Sequence, residues 1–261
     1  MHTENFIDSL KIQSRIIGAL LLREILTRYG RHNIGFFWLF VEPMIFNLGV
    51  LLIRLTAHER TFGLDIVAFV STGYATILLW RNTINRCGNA LEPNRSLLHH
   101  RNVRVFDIFV SRILLEIAGT TLSFLIISSI LIAAGVMHLP DNIFKVFLGW
   151  FLLAWFSGGV ALIIGAAAYL SETFERLWHI ITYLFLPICG AFTMTAFAPP
   201  PLAVILEHVP IVSCVELLRE GYFGLYADAR YDIPFVLVSN LIVSFVGIYL
   251  SRMVSYRVEG A

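Results

Sequence analysis

Along most of this 261-residue chain, long apolar runs alternate with short polar connections that carry Arg. Six runs approach the length that crosses a bilayer: 35–53, 63–80, 113–136, 146–170, 177–198 and 233–250. A hydrocarbon core about 30 Å thick takes about 20 helical residues. Inside it every backbone N–H and C=O must find its partner within the helix. The pattern predicts an all-α polytopic membrane protein with six transmembrane helices, occupying residues 35–261. The second run is short and polar-flecked. The first holds Glu42-Pro43 and Asn47, the third Glu116, the fifth Pro187 and the sixth Asn240.

The first 34 residues have a different period. Phe6, Leu10, Ile17, Leu20 and Leu21 share one helical face, and Glu4, Asp8, Lys11 and Arg15 the other. Their longest apolar piece, Ile16–Leu22, is too short to span. This predicts an N-terminal amphipathic helix in the membrane interface rather than a cleavable signal peptide. Packing of that helix on its own protein is the alternative. Two connections are more than plain loops. Residues 81–111 are basic, with apolar groups at helical spacing. Residues 199–232 open on Pro199-Pro200-Pro201 and give two short pieces, Leu202–His208 and Ile211–Tyr226, parted by Pro210. Both pieces are too short to cross, which suits re-entrant or interfacial helices before the last span.

Charge then orients the chain. With the N-terminus inside, fourteen Lys and Arg residues fall on the cytoplasmic side against five outside (Arg54, Arg60, Lys145, Arg219 and Arg230). That bias puts both termini in the cytoplasm. The composition, 57% hydrophobic and 14% charged with a mean hydropathy of +0.77, leaves no room for a large soluble domain. A net charge of +1 gives no reason to expect nucleic acid as a partner. Three separated Cys read as small core residues.

Recognisable reaction chemistry is missing. There is no G-x-x-x-x-G-K-[ST] phosphate loop, no G-x-G-x-x-G, no H-E-x-x-H and no C-x-x-C. No catalytic, cofactor-binding or metal-binding residues are assigned, and the chain reads as no enzyme. Energy for any work would come from an ion gradient or from a separate ATPase. Deep acids, expected of an ion-driven carrier, are few. Glu42 is the deepest, and a charge at mid-membrane costs about 2.5–3.5 kcal/mol. Glu42 is therefore expected to pair with an Arg or a polar partner on a neighbouring span, to face a cavity, or to sit at a helix break created by Pro43.

Three stretches resemble the permeases of type 2 ABC exporters, most closely those of Gram-negative capsular polysaccharide export. They are RYGRHNIGFFWLFVEP at 28–43, INRCGNALEPNRSLLHHRNVRVFDIFVSRILLE at 84–116 and HVPIVSCVELLREGYFG at 208–224. Val209 stands where many of those permeases have Asn. The likeness runs from about Arg23 to Tyr256 and keeps the order of all six spans. It implies a transport subunit of the inner membrane that forms a homodimer. Two copies of an ABC ATPase subunit would bind ATP and Mg, with no cofactor in this chain. The cargo would be a lipid-linked capsular or related surface polysaccharide, with further export partners in the periplasm and outer membrane. By the same likeness Leu91–His100 would be the coupling helix, with Leu91, Glu92, Asn94, Arg95 and Leu98 at the ATPase contact. Lipid binding by the Arg cluster is the alternative there.

Aromatic rings stack on the C–H faces of sugars while tolerating register. Tyr29, Phe36 and Trp38, with Glu42 and Asn47, are the candidates for a substrate path along the first span. An aromatic belt at the membrane interface would draw on the same rings. Export of O-antigen, teichoic-acid-type polymer or small lipid by the same architecture is the alternative function. A membrane scaffold or enzyme of glycan assembly is the rival from another class.

Overall fold

The computed structural model describes residues 6–29, 34–56, 63–99 and 103–259. Every regular element among them is helical: α1 (Phe6–Tyr29), α2 (Ile34–Thr56), α3 (Ile66–Gly88), α4 (Val105–Ala133), α5 (Ile143–Leu170), α6 (Glu172–Phe185), α7 (Pro200–Glu207), α8 (Pro210–Phe223) and α9 (Ile233–Glu259). Local chemistry sets their starts. Asp65 accepts from the Val67 N–H ahead of α3, Asn142 from the Lys145 N–H ahead of α5, and Ser171 from the Phe174 N–H ahead of α6. Pro200 and Pro210 open α7 and α8, where a missing N–H costs nothing.

Helix α5 is the hub, packed against α3, α8 and α9. Two glycines make the close approach to α8 possible. A Cβ on Gly149 would sit 2.8 Å from the Cys214 carbonyl oxygen, and one on Gly221 2.6 Å from the Val146 nitrogen. Across the α5–α9 seam, Asn240 donates to the Leu152 carbonyl at 3.1 Å and Trp155 donates to Ser244 Oγ at 2.9 Å. Most of the rest of α9 is exposed apolar surface, including Leu241, Ile242, Phe245 and Tyr249. A surface of that kind suits lipid rather than water.

Three helices among the described residues are long and apolar enough to cross a membrane: α4, α5 and α9. A fourth crossing is made if Pro200–Glu207 and Pro210–Ala227, which meet at 97°, count as one broken span. Helix α3 occupies the polar-flecked second run, and its polarity has a reason. It is enclosed by α2, α4, α5 and α8, and the hydroxyls of Thr72, Thr76 and Thr83 bond back to carbonyls of their own helix. A helix wrapped in protein need not be apolar throughout.

Several boundaries differ from the sequence expectation, and α9 runs on to Glu259, past the expected end of the sixth span. The 81–111 connection is shorter, because α3 continues to Gly88 and α4 begins at Val105, leaving a 3-10 segment over Glu92–His99. Asp107, three residues into α4, accepts from the Arg104 N–H and starts that helix early. The expected fifth span is broken. Helix α6 stops at Phe185, where Pro187 cannot donate. Short 3-10 turns at Leu186–Ile188 and Thr195–Phe197 carry the chain to α7.

Candidate functional site

One end of the bundle gathers α1, the Glu92–His99 segment, the end of α5 and the start of α6. Helix α1 is pinned there by polar contacts rather than lying free. Gln13 donates to Asp107 at 2.9 Å. Glu24 pairs with Arg112 at 3.0 Å, with both side chains nearly buried. Arg23 Nη1 donates to Asn94 Oδ1 at 2.6 Å. Leu20 is buried, whereas Leu10, Leu22 and Leu26 are exposed. The helix thus packs on its own protein and also keeps an apolar outer surface.

The coupling candidates divide into two roles. Leu91 is buried, and Leu98 is half-buried against the same core. Asn94, buried too, accepts from Arg23 and donates to the Ala90 carbonyl at 2.8 Å. These three hold the segment in place. Glu92 and Arg95 are exposed. They face a cleft of about 600 Å³ whose other walls include Tyr169, Glu175, Arg176 and Val258. A protein surface with both charge signs and a hydrophobic floor fits this cleft better than a small apolar ligand does.

The path candidates are also divided. The side chains of Tyr29 and Phe36 lie outside the described ones. Trp38 and Glu42 are exposed, and they share one face of α2 with Ile45 and Leu52. Asn47 sits on the opposite face, buried, where its Nδ2 donates to the Ser71 carbonyl at 3.3 Å. A small, mostly apolar pocket beside it is walled by Pro43, Met44, Leu78, Thr120 and Phe124. Of the three settings expected for Glu42, the helix break is absent, because α2 runs through Pro43, and a cationic neighbour is present. Arg86 lies 3.8 Å from Glu42 and 3.8 Å from the buried Glu116. Both separations are too long for hydrogen bonds, so Arg86 acts as a point charge between two carboxylates. Phe46 lies tilted against Tyr74 and under Arg81.

Sequence reasoning missed a polar clasp inside α8. Arg219, counted above among the outer charges, is fully buried. Its Nη1 donates to the Gly190 carbonyl and its Nη2 to the Ala191 carbonyl, both at 2.6 Å. The guanidinium lies over the Phe69 ring, 4.0 Å from the centroid. Gly73 gives it space, since a Cβ there would come within 2.8 Å of Nη2. Glu216, one turn earlier, accepts from the Thr195 N–H at 2.8 Å. The two charged side chains therefore supply partners for the irregular backbone over 189–197, which no helix satisfies. The signal was the E-L-L-R-E run itself: three charges, Glu216, Arg219 and Glu220, within about one turn of an otherwise apolar helix.

Known proteins resemble this sequence over nearly its whole length. The profile of the ABC-2 type transporter family matches residues 15–223. The capsule polysaccharide export inner-membrane protein CtrC of Neisseria meningitidis serogroup B is 40% identical over 262 residues, covering 99% of this chain and 98% of its own. The protein of the same description called BexB, from Haemophilus influenzae, is 39% identical over 97% of this chain and 96% of its own. The polysialic acid transport protein KpsM of Escherichia coli is 26% identical over 94% and 95%. With the family match covering most of the chain and relatives near 40% identity covering nearly all of it, the chain belongs to the ABC-2 type transporter family.

Proposed function

We propose that this chain is the membrane subunit of an ATP-driven exporter that moves lipid-linked surface polysaccharide across the inner membrane. The observation that carries the reading is similarity over nearly the whole length, at about 40% identity, to proteins named for capsule polysaccharide export. In this reading α2 and α3 also cross the bilayer, α6 to α8 complete the fifth crossing, and both termini lie in the cytoplasm. A second copy and two ATPase subunits complete the transporter. Glu92 and Arg95, exposed at the cleft, are the contact to the ATPase. Leu91, Asn94 and Leu98 keep that contact rigid, and α1 acts through Arg23 as its strut.

The exposed face of α2 supports a polar path. An unshielded carboxylate against lipid costs about 2.5–3.5 kcal/mol. Glu42, with 61% of its side chain uncovered, therefore belongs against water or a second copy of the chain. Trp38 on the same face is then placed to stack on sugar rings as the polymer slides.

Deletion of the gene followed by localisation of the polysaccharide tests the proposal. Polymer should accumulate in the cytoplasm and return to the surface on complementation. Surface polysaccharide at its normal level in the deletion strain would refute the exporter reading.

A further inference from the structure

The end of the bundle remote from α1 carries a cup that neither the cleft nor the α2 face accounts for. It forms where the turn before α3, the 134–142 connection and the end of α8 meet. Leu64, Asp65, His138, Tyr222, Phe223 and Tyr226 wall a space of about 620 Å³. That size falls within the usual range for small-ligand sites.

The cup is braced. The Asp141 N–H donates to the Tyr222 carbonyl at 3.2 Å and the Asn142 N–H to the Gly221 carbonyl at 2.7 Å. The Tyr222 hydroxyl donates to the His138 carbonyl. After α8 the chain turns at Gly224 (φ 63, ψ −147), a conformation essentially closed to residues with a Cβ. It leaves the turn at Asp228, in the left-handed region with φ 42. Between them Ala227 is fully buried against Phe69 and Met194, yet Leu225 is 92% and Tyr226 87% exposed. The turn is anchored from inside and holds the Tyr226 ring out at the rim.

The lining has the chemistry of polyol recognition. Aromatic rings offer flat faces to C–H groups. Asp65 uses Oδ1 on the Val67 N–H at 2.9 Å. A carboxylate has about four lone-pair sites, so Asp65 keeps capacity for hydroxyl donors. An acyl chain would gain nothing from Asp65.

We propose that this cup is a sugar-binding site, separate from the α2 face, that takes one or two pyranose units of the polymer as it emerges. The ring stacks on Tyr226 and its hydroxyls donate to Asp65. This rests on the exporter reading. The test uses the full chain with its ATPase in nanodiscs, titrated calorimetrically with short oligosaccharides cut from the host strain's own surface polysaccharide. The wild type should bind saturably. Tyr226→Ala should weaken binding about fivefold to tenfold, in line with an aromatic contact, and Tyr226→Trp should restore it. Asp65→Asn, which keeps the helix cap, should also weaken it. Equal affinity in the wild type, Tyr226→Ala and Asp65→Asn would overturn the site, as would no saturable binding by the wild type. A Tyr226→Ala variant with less protein in the membrane but unchanged affinity would make the ring a membrane anchor and overturn it as well. The exporter reading has its own readout in the deletion strain: loss of the cup with that phenotype intact retires the cup alone.

Discussion

Arg219 is fully buried, and carbonyls and a ring surround its guanidinium in place of solvent. Gly190, Ala191 and Thr193 supply oxygens and Phe69 a π face, while Nε alone lacks a partner. Leaving a buried polar group without its partner costs about 1–3 kcal/mol, and more where the partner lost is charged. Arg219→Ala and Glu216→Ala should therefore each lower the melting temperature in detergent and the amount of protein in the membrane. Arg219→Lys should rescue poorly, since an ammonium lacks the planar fork that reaches two carbonyls at once. Glu42 behaves differently. Its contact to Arg86 is 3.8 Å long and half-exposed, and such pairs contribute about 0–1 kcal/mol. Glu42→Gln should keep protein abundance and change export. Trp38→Ala should likewise lower export per molecule at unchanged abundance. Immunoblotting and surface-polysaccharide assay on the same strains separate this outcome from a packing role, which would reduce abundance instead.

At the scale of elements, the Glu92–His99 segment is an eight-residue 3-10 stretch. Its position comes from neighbours: Leu91 in the core and Asn94 held by Arg23. Glu92→Lys with Arg95→Glu should leave insertion intact while reducing co-purification of the ATPase and uncoupling hydrolysis from export. Arg23→Ala should produce a milder form of the same defect although Arg23 touches the segment from behind. A hydrogen bond to a charged group contributes about 1.5–3 kcal/mol, enough to loosen the segment without unfolding the bundle. Wild-type coupling in both variants would remove the segment from the mechanism. The element boundaries that sequence misjudged follow from the same dependence on neighbours. Val105–Arg112 reads as a basic connection, yet α4 already includes it, because Asp107 caps the helix and Glu24 of α1 neutralises Arg112.

For the whole molecule the missing phosphate loop becomes a prediction of assembly. The purified chain alone should neither bind nor hydrolyse ATP. Co-expressed with its ATPase it should elute as a closed two-fold complex of two plus two subunits, the symmetry that most oligomers adopt. Light scattering and an ATPase assay on the two preparations check this, and stoichiometric turnover by the chain alone would refute the subunit reading.

Apolar runs and Arg placement along the chain were enough to decide that this is a helical membrane protein. Three local motifs pointed to the family, because hydropathy, caps and prolines act over one or two helical turns. Helices α2, α5 and α9 and the proline-parted pair α7 and α8 were legible for that reason. What lay beyond reach depends on residues far apart in sequence. Asn47 turned toward α3 rather than toward Trp38, since 38 and 47 fall on opposite sides of a helix and Ser71 offered a carbonyl there. Arg219 went inside because the backbone over 189–197 lacked donors and Gly73 left space for a guanidinium. Burial of a charge is decided only when every group around it is in place, and that is a property of the tertiary structure alone.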